Sequence, residues 1–212
     1  MATTTRRGPY AKGIAKRQQI LKEALAAYAE SDSTGPSLRA VAKRAGLSER
    51  GLLHYFAARD ELFVAILAER DAADRATFDP DGPVDDLAAV TAQSARTPGL
   101  VRLFLEMAAA APDPGHAAHR FFTRRYRELR ELLARKFRRS AEARPVVPAR
   151  AVDPEFAARI LIAASDGLQA QWLLDPAIDL EDDLDRLAHL LLAALTSSTE
   201  ADPATETGPA VQ

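Results

Sequence analysis

The segment SLRAVAKRAGLSERGLLHYFAARDEL, residues 37–62, leaves a chain little freedom, because it sets helix starts and a helix stop within a few turns of one another. Ser37 stands where a hydroxyl accepts from the open backbone N–H groups of a helix beginning at Leu38. Leu38, Val41 and Ala45 form the apolar stripe of that helix. Gly46 supplies the left-handed conformation that closes it. Ser48 then caps a second short helix, ERGLLHYF, and Arg59 and Asp60 open a longer one faced by Leu62, Phe63, Ile66 and Leu67. Upstream, Ile14, Leu21, Leu25 and Tyr28 are 7, 4 and 3 positions apart, one face of a helix that SDSTGPS (31–37) ends.

Beyond a breaker at Asp79-Pro80-Asp81-Gly82-Pro83, helical patterns continue: VDDLAAVTAQSAR, LVRLFLEMAAAA, HRFFTRRYRELRELLARKFRRS, PEFAARILIAASDGLQAQWLL and LEDDLDRLAHLLLAAL. Pro-containing junctions at 98, 112–114, 145–148 and 176 divide them. No strand-like alternation or internal repeat interrupts the series. The expected class is all-α: an N-terminal three-helix head over 1–59, a helical body over 60–196 and a disordered tail over 197–212, whose composition has little to bury. The absence of cysteine excludes disulfides and thiolate metal sites. The N-terminus lacks the apolar core of a secretory signal. No apolar run approaches the roughly 18–20 residues that span a bilayer. A cytoplasmic protein without a membrane partner is expected.

The formal net charge of −2 hides an asymmetry. Residues 1–59 hold 11 Lys and Arg against 4 Asp and Glu, and the remainder 17 against 26. A basic head on an acidic body suggests a polyanion as partner. The head also has a shape that enters a groove: in a helix–turn–helix the second helix lies in the DNA major groove while the first crosses the backbone. Lys43 and Arg44, with Arg6, Arg7, Lys12, Lys16 and Arg17 of the arm and first helix, are candidates for neutralising phosphates. Ser37 and Ser48 sit at helix N-termini, which favour a phosphate oxygen.

The stretch resembles the N-terminal DNA-binding domain of the tetracycline-repressor (TetR) family. The matching features are the AxxAG turn, the serine opening the short third helix, the Tyr55-Phe56 pair closing it, and Arg59 followed by Asp-Glu-Leu. DGLQAQWLLDP is similar to the penultimate long helix of some actinobacterial-type members. The resemblance implies a homodimeric regulator, usually a repressor, binding a palindromic double-stranded operator and released by a small-molecule effector. It assigns phosphate contacts to Ser37, Ser48, Tyr55 and Arg59, and base reading to Glu49, Arg50 and Gly51, with His54 one turn on. The position before His54 is often tyrosine in the family; here it is Leu53, which removes that contact. Among these, Arg50 is the strongest base reader, since a guanidinium bonds guanine O6 and N7 together, worth roughly 1–3 kcal/mol of discrimination. Glu49 has two readings: acceptor from a cytosine amino group, or stabiliser of the helix N-terminus.

In the body, Glu106 interrupts an otherwise apolar helix; it faces solvent, pairs with an arginine or meets a polar ligand group. Phe104, Met107, Phe121, Phe122, Tyr126, Gln169 and Trp172 join it as ligand-pocket candidates, each with ordinary core packing as the alternative. Residues 120–139 carry nine Lys and Arg against two Asp and Glu, read as a solvated face, with an anionic ligand or the acidic LEDDLD stretch as the other reading. Ile160, Leu161, Ala164, Leu168 and Trp172, then Leu184, Leu187, Leu190, Leu191 and Leu195, offer broad faces for a two-fold interface through the last two long helices. Two rivals stand beside this reading. One is a DNA-binding regulator controlled by a partner protein. The other is a helical enzyme, for which His116 and His119 are the only metal-like pair, lacking a third ligand. No phosphate loop, nucleophile elbow or cofactor motif is present, so neither an enzyme nor a cofactor is expected.

Overall fold

The computed structural model describes residues 9–77, 79, 82, 91, 93, 96–142 and 152–196. Arg6 and Arg7, most of the helix expected over 84–96, and the 197–212 tail lie outside the described residues. The described residues form eight α-helices and no strand: α1 Pro9–Ala29, α2 Leu38–Arg44, α3 Glu49–Leu53, α4 Arg59–Thr77, α5 Pro98–Ala110, α6 Ala118–Glu142, α7 Pro154–Leu174 and α8 Leu180–Thr196.

Helix α1 buries Ile20, Leu21, Ala24 and Tyr28. The stripe starts later than the sequence spacing suggests, because Ile14 is 49% exposed. At the end of α2, the Leu47 N–H donates to the Ala42 carbonyl at 2.9 Å and the Gly46 N–H to that of Lys43 at 3.1 Å. With Gly46 at φ +69°, this is a Schellman close, and it sets the angle between α2 and α3. Helix α3 is shorter than the expected ERGLLHYF. After Leu53 the chain continues through i→i+3 bonds, Tyr55 N–H to the Leu52 carbonyl and Phe56 N–H to that of Leu53, which turn Phe56 into the core.

The head has no core of its own. Leu52 and Phe56 share one apolar cluster with Leu62 and Ile66 of α4, Leu103 and Phe104 of α5, and Phe121 and Phe122 of α6. The division at 59/60 therefore runs through continuous packing. A second cluster joins the C-terminal half of α6 (Leu133, Phe137) to α7 and α8 (Leu161, Leu184, Leu191). Tyr126 packs against both clusters, so α6 is the strut between them.

One basic residue of α6 departs from the solvated face expected there. Lys136 is 1% exposed, and its Nζ donates to the carbonyls of Asp79 at 2.6 Å and Gly82 at 2.9 Å. Its periodicity is internal, beside Phe137 and Leu133, and its charge is spent on holding the chain that leaves α4. Lys136→Met keeps the stem and removes the donor. The expected loss is about 2 kcal/mol, since two carbonyls lose a charged partner. Urea denaturation with an unchanged slope checks it.

Candidate nucleic-acid interface and ligand site

The reading helix is set by two serines. Ser37 Oγ accepts from the Ala40 N–H at 3.1 Å, and Ser48 Oγ accepts from the Gly51 N–H at 3.0 Å. Each hydroxyl proton remains available to an outside acceptor such as a phosphate. Gly51 fits this cap closely: a Cβ there would lie 3.2 Å from Ser48 Oγ and 3.8 Å from the Leu47 side chain. The glycine thus leaves room for the cap.

From this frame Ser48, Glu49, Arg50 and His54 are exposed, while Leu52 and Phe56 are buried. Ser48, Arg50, Gly51, Leu53 and His54 line a shallow hollow. Leu53, where the resemblance leads one to look for tyrosine, gives that hollow an apolar wall. Tyr55 is half-buried and meets His54 edge-on at 5.7 Å between ring centroids. Glu49 sits in the first turn of α3 without an ion-pair partner among the described residues, so both its readings stand.

The basic residues divide into two sets. Arg44 is committed to the head's own frame, bonding Glu23 at 3.2 Å and both oxygens of Glu30. The bond from Arg44 holds the Glu30 carboxyl below its ordinary range. Lys16 Nζ donates to the Ala45 carbonyl at 3.1 Å, closing the end of α2 from α1. Arg17 lies over the Phe56 ring at 4.7 Å and Arg59 over Phe63 at 4.8 Å. Lys43 and Arg50, in contrast, are exposed and make no ion pair among the described residues. Arg44 and Lys16 thus hold partners within the head itself. Sequence spacing alone does not reveal these partners, because Glu23 lies on α1 and Glu30 just after it, both far in sequence from Arg44, as Ala45 is from Lys16.

In the body, Glu106 is exposed and pairs with Arg102 at 3.0 Å. Phe104, Met107, Phe121 and Phe122 are buried together in the first apolar cluster. Trp172 is half-buried. Tyr126 and Gln169 meet something the sequence reading missed, a polar cluster between α4, α7 and α6. Asp71 of α4 accepts from Arg125 Nε at 2.9 Å, and Arg70 pairs with Asp74 at 3.5 Å. The Tyr126 hydroxyl donates to Asp166 Oδ2 at 2.6 Å. Arg125 lies over the Phe104 ring at 4.8 Å. Gln169 is 5% exposed and donates to the Ser165 carbonyl at 3.2 Å, while Ser165 Oγ and Thr91 Oγ1 bond at 3.2 Å. Burial pushes the Asp166 and Asp74 carboxyls up, and burial with the nearby Asp166 charge pushes the Tyr126 phenol up.

Arg125 Nη1 and Gln169 Oε1 are buried there with no hydrogen-bond partner among the described residues. One is a donor and one an acceptor, and buried polar atoms are rarely left so. Asp166 was detectable in sequence by the sign that singled out Glu106, a lone carboxylate in an uncharged run, here ILIAASDGLQA. The arginines were not, since they belong to helices rich in surface charge. His116 Nε2 lies 3.2 Å from Asp60 Oδ2 and His119 Nδ1 2.9 Å from the Ala111 carbonyl oxygen. No group of three or more potential metal ligands occurs among the described residues.

The capped short helix α3, set after α2 through the tight turn at Gly46, is a helix–turn–helix arrangement on a helical body. The sequence model of the family described as "Bacterial regulatory proteins, tetR family" matches residues 20–66. The fold is shared with solved structures over most of both chains. A TetR transcription regulator from Haloarcula marismortui ATCC 43049 is 18% identical, with 87% of this chain and 100% of that one covered and a TM-score of 0.65. A transcriptional regulator from Rhodococcus sp. Rha1 is 22% identical, with 86% and 98% covered and a TM-score of 0.61. SmeT, the repressor of the Stenotrophomonas maltophilia multidrug efflux pump SmeDEF, is 23% identical, with 92% and 97% covered and a TM-score of 0.57. No curated protein matches this chain significantly. No helix among the described residues is long and apolar enough to cross a membrane.

Proposed function

We propose that this protein is a homodimeric, cytoplasmic, sequence-specific repressor, with residues 1–59 binding DNA and residues 60–196 sensing a small polar effector that releases it. The observation that carries the DNA reading is the free Arg50 guanidinium on the exposed face of a doubly braced α3. Ser37, Lys43, Ser48, Tyr55 and Arg59 surround it as phosphate partners, and His54 and Gly51 complete the approach.

Dimerisation rests on apolar side chains left uncovered on the last two helices. Phe156 (41%), Ile160 (36%) and Leu174 (88%) of α7, and Leu190 (68%) of α8, are exposed. Ile160 and Leu190 belong to the faces read from sequence, whereas Leu161, Leu184, Leu191 and Leu195 of those faces are buried within the protomer. Ile160→Glu is expected to shift the protein to monomer in analytical ultracentrifugation and to weaken operator binding at least tenfold, because two linked heads no longer bind together. A variant that stays dimeric counts against this seam.

Effector control rests on the polar cluster. Arg125 touches Asp71 of α4, and α4 starts at Arg59 in the head. A ligand acceptor for Arg125 Nη1 and a ligand donor for Gln169 Oε1 complete the bonding of the cluster and pull on the helix that carries the head. Gln169→Leu is expected to leave DNA affinity within about twofold of the parent. Small hydroxylated or carbonyl compounds that release the parent from its operator are expected to lose their effect on this variant. Release that is equally sensitive in the variant places the effector elsewhere.

A further inference from the structure

The far end of the body carries a charged groove that neither DNA binding nor the effector cluster uses. It runs between α6 and α7, has a volume of about 460 Å³, and is walled by Arg127, Arg130, Arg135 and Arg138 on one side and Arg159 on the other. Glu131 and Glu155 are the only carboxylates in its lining, so five guanidiniums face two opposite charges. The α6 residues recur at spacings of three and four, which puts them on one helix face. Ala134, buried and also lining the groove, leaves the gap between the helices that a longer side chain would close.

The ion pairs inside the groove do not consume this charge. Arg138 bonds Glu155 at 2.7 Å, and Arg130 Nε bonds only the Tyr126 carbonyl at 3.2 Å. Arg127 and Arg135 each stand four residues from Glu131, yet neither pairs with it or with any other carboxylate among the described residues. Like charges gathered in a concave surface repel, and the groove walls concentrate their field. That arrangement is favourable when a multiply charged anion occupies it.

We infer that this groove binds a small polyanion carrying two or more linked phosphate groups. Arginine's planar fork matches phosphate oxygens two at a time. Arg127 and Arg135 are two turns apart, about 12 Å along the helix. A chain of two or three phosphates, met by two long side chains, engages both without drawing them together on a single centre. The groove volume falls within the range of about 300–1,000 Å³ usual for small-ligand sites.

The test uses the full chain, at fixed ionic strength near 0.15 M, with sodium tripolyphosphate as probe and orthophosphate as control. Calorimetry and thermal shift read binding. Saturable one-per-protomer binding of tripolyphosphate is expected, with orthophosphate at least tenfold weaker. The double variant Arg127→Gln, Arg135→Gln is expected to weaken tripolyphosphate at least tenfold, while Arg120→Gln, exposed on the same helix outside the groove, stays within twofold. Both sets of variants alter surface side chains, so folding is preserved and circular dichroism verifies it. Equal losses in the two variants mean unspecific attraction and overturn the proposal. Loss in an Arg50→Ala, Lys43→Ala variant instead places the anion on the DNA face and overturns it. Absence of binding, with the double variant changing only the oligomeric state, makes the groove a seat for the acidic start of α8 from a second copy, and also overturns it.

Discussion

Arg50→Ala is expected to abolish base preference at one position of each half-site while leaving affinity for unrelated DNA nearly unchanged. The argument is geometric. Ser48 fixes the start of α3, Lys16 and Arg44 fix α2 against α1, and Leu52 and Phe56 hold α3 to the core, so the guanidinium projects from a helix that cannot reorient. A bidentate contact from arginine to guanine discriminates by about 1–3 kcal/mol. With two half-sites, the operator loses roughly 30-fold to several thousand-fold if each contact contributes about 1–2.5 kcal/mol. Lys43→Ala is the matched control. It removes an exposed cation proposed to meet a phosphate, so all sequences are expected to weaken alike and the salt slope to fall by about one for each protomer. Equal losses on operator and shuffled DNA for Arg50→Ala assign base reading to another residue, with Glu49 and His54 the remaining exposed candidates on the same face.

Gly99→Ala is expected to destabilise the chain by about 3 kcal/mol, because the junction of head and body closes around that position without room for a methyl group. A Cβ on Gly99 would lie 2.5 Å from Ser31 Oγ, 3.0 Å from the Asp32 carbonyl oxygen and 3.1 Å from Gly35 Cα. Two of the three are backbone, and overpacking at such a contact costs about 1–3 kcal/mol. Tyr28 lies under the same turn, where burial with the nearby Glu106 charge pushes its phenol up to about 12. For a chain of this size the cost corresponds to a fall in melting temperature of roughly 6–12 °C. Adding Ser31→Ala relieves the shortest contact only, so the double variant regains less than half of the loss. Full recovery means that the serine hydroxyl alone sets the clearance. Since the turn at 31–35 leads directly into α2, a shift there also displaces the helix that frames the DNA face, and the operator affinity of the folded variant is expected to fall with it.

What was legible in the sequence follows from the range of the forces involved. Ser37, Gly46 and Ser48 act through bonds to residues three to five positions away, so their roles can be read from spacing, and the α2–α3 turn forms as expected. Leu52, Phe56, Leu62 and Ile66 were identifiable by period. The roles of Arg44, Lys16 and Lys136 depend on partners on other elements, at 23 and 30, 45, and 79 and 82, which no local pattern indicates. The same holds for Arg125, whose partners come from α4 and α5. Leu184, Leu191 and Leu195 were apolar as expected, but periodicity does not say whether a stripe faces its own chain or a second copy. The structure assigns them to their own chain and leaves Ile160, Leu174 and Leu190 outside.

The central property proposed for this protein is that α3 reads DNA as part of a two-fold pair. Selection of bound sites from a random duplex pool, with the full chain at about 0.15 M salt, tests this most directly. The account predicts an inverted repeat with half-site centres about one helical turn apart, or a multiple of it. Arg50→Ala is predicted to erase one symmetric pair of positions from that site. Recovery of no enriched sequence, or of a single unrepeated site that Arg50→Ala leaves intact, contradicts it.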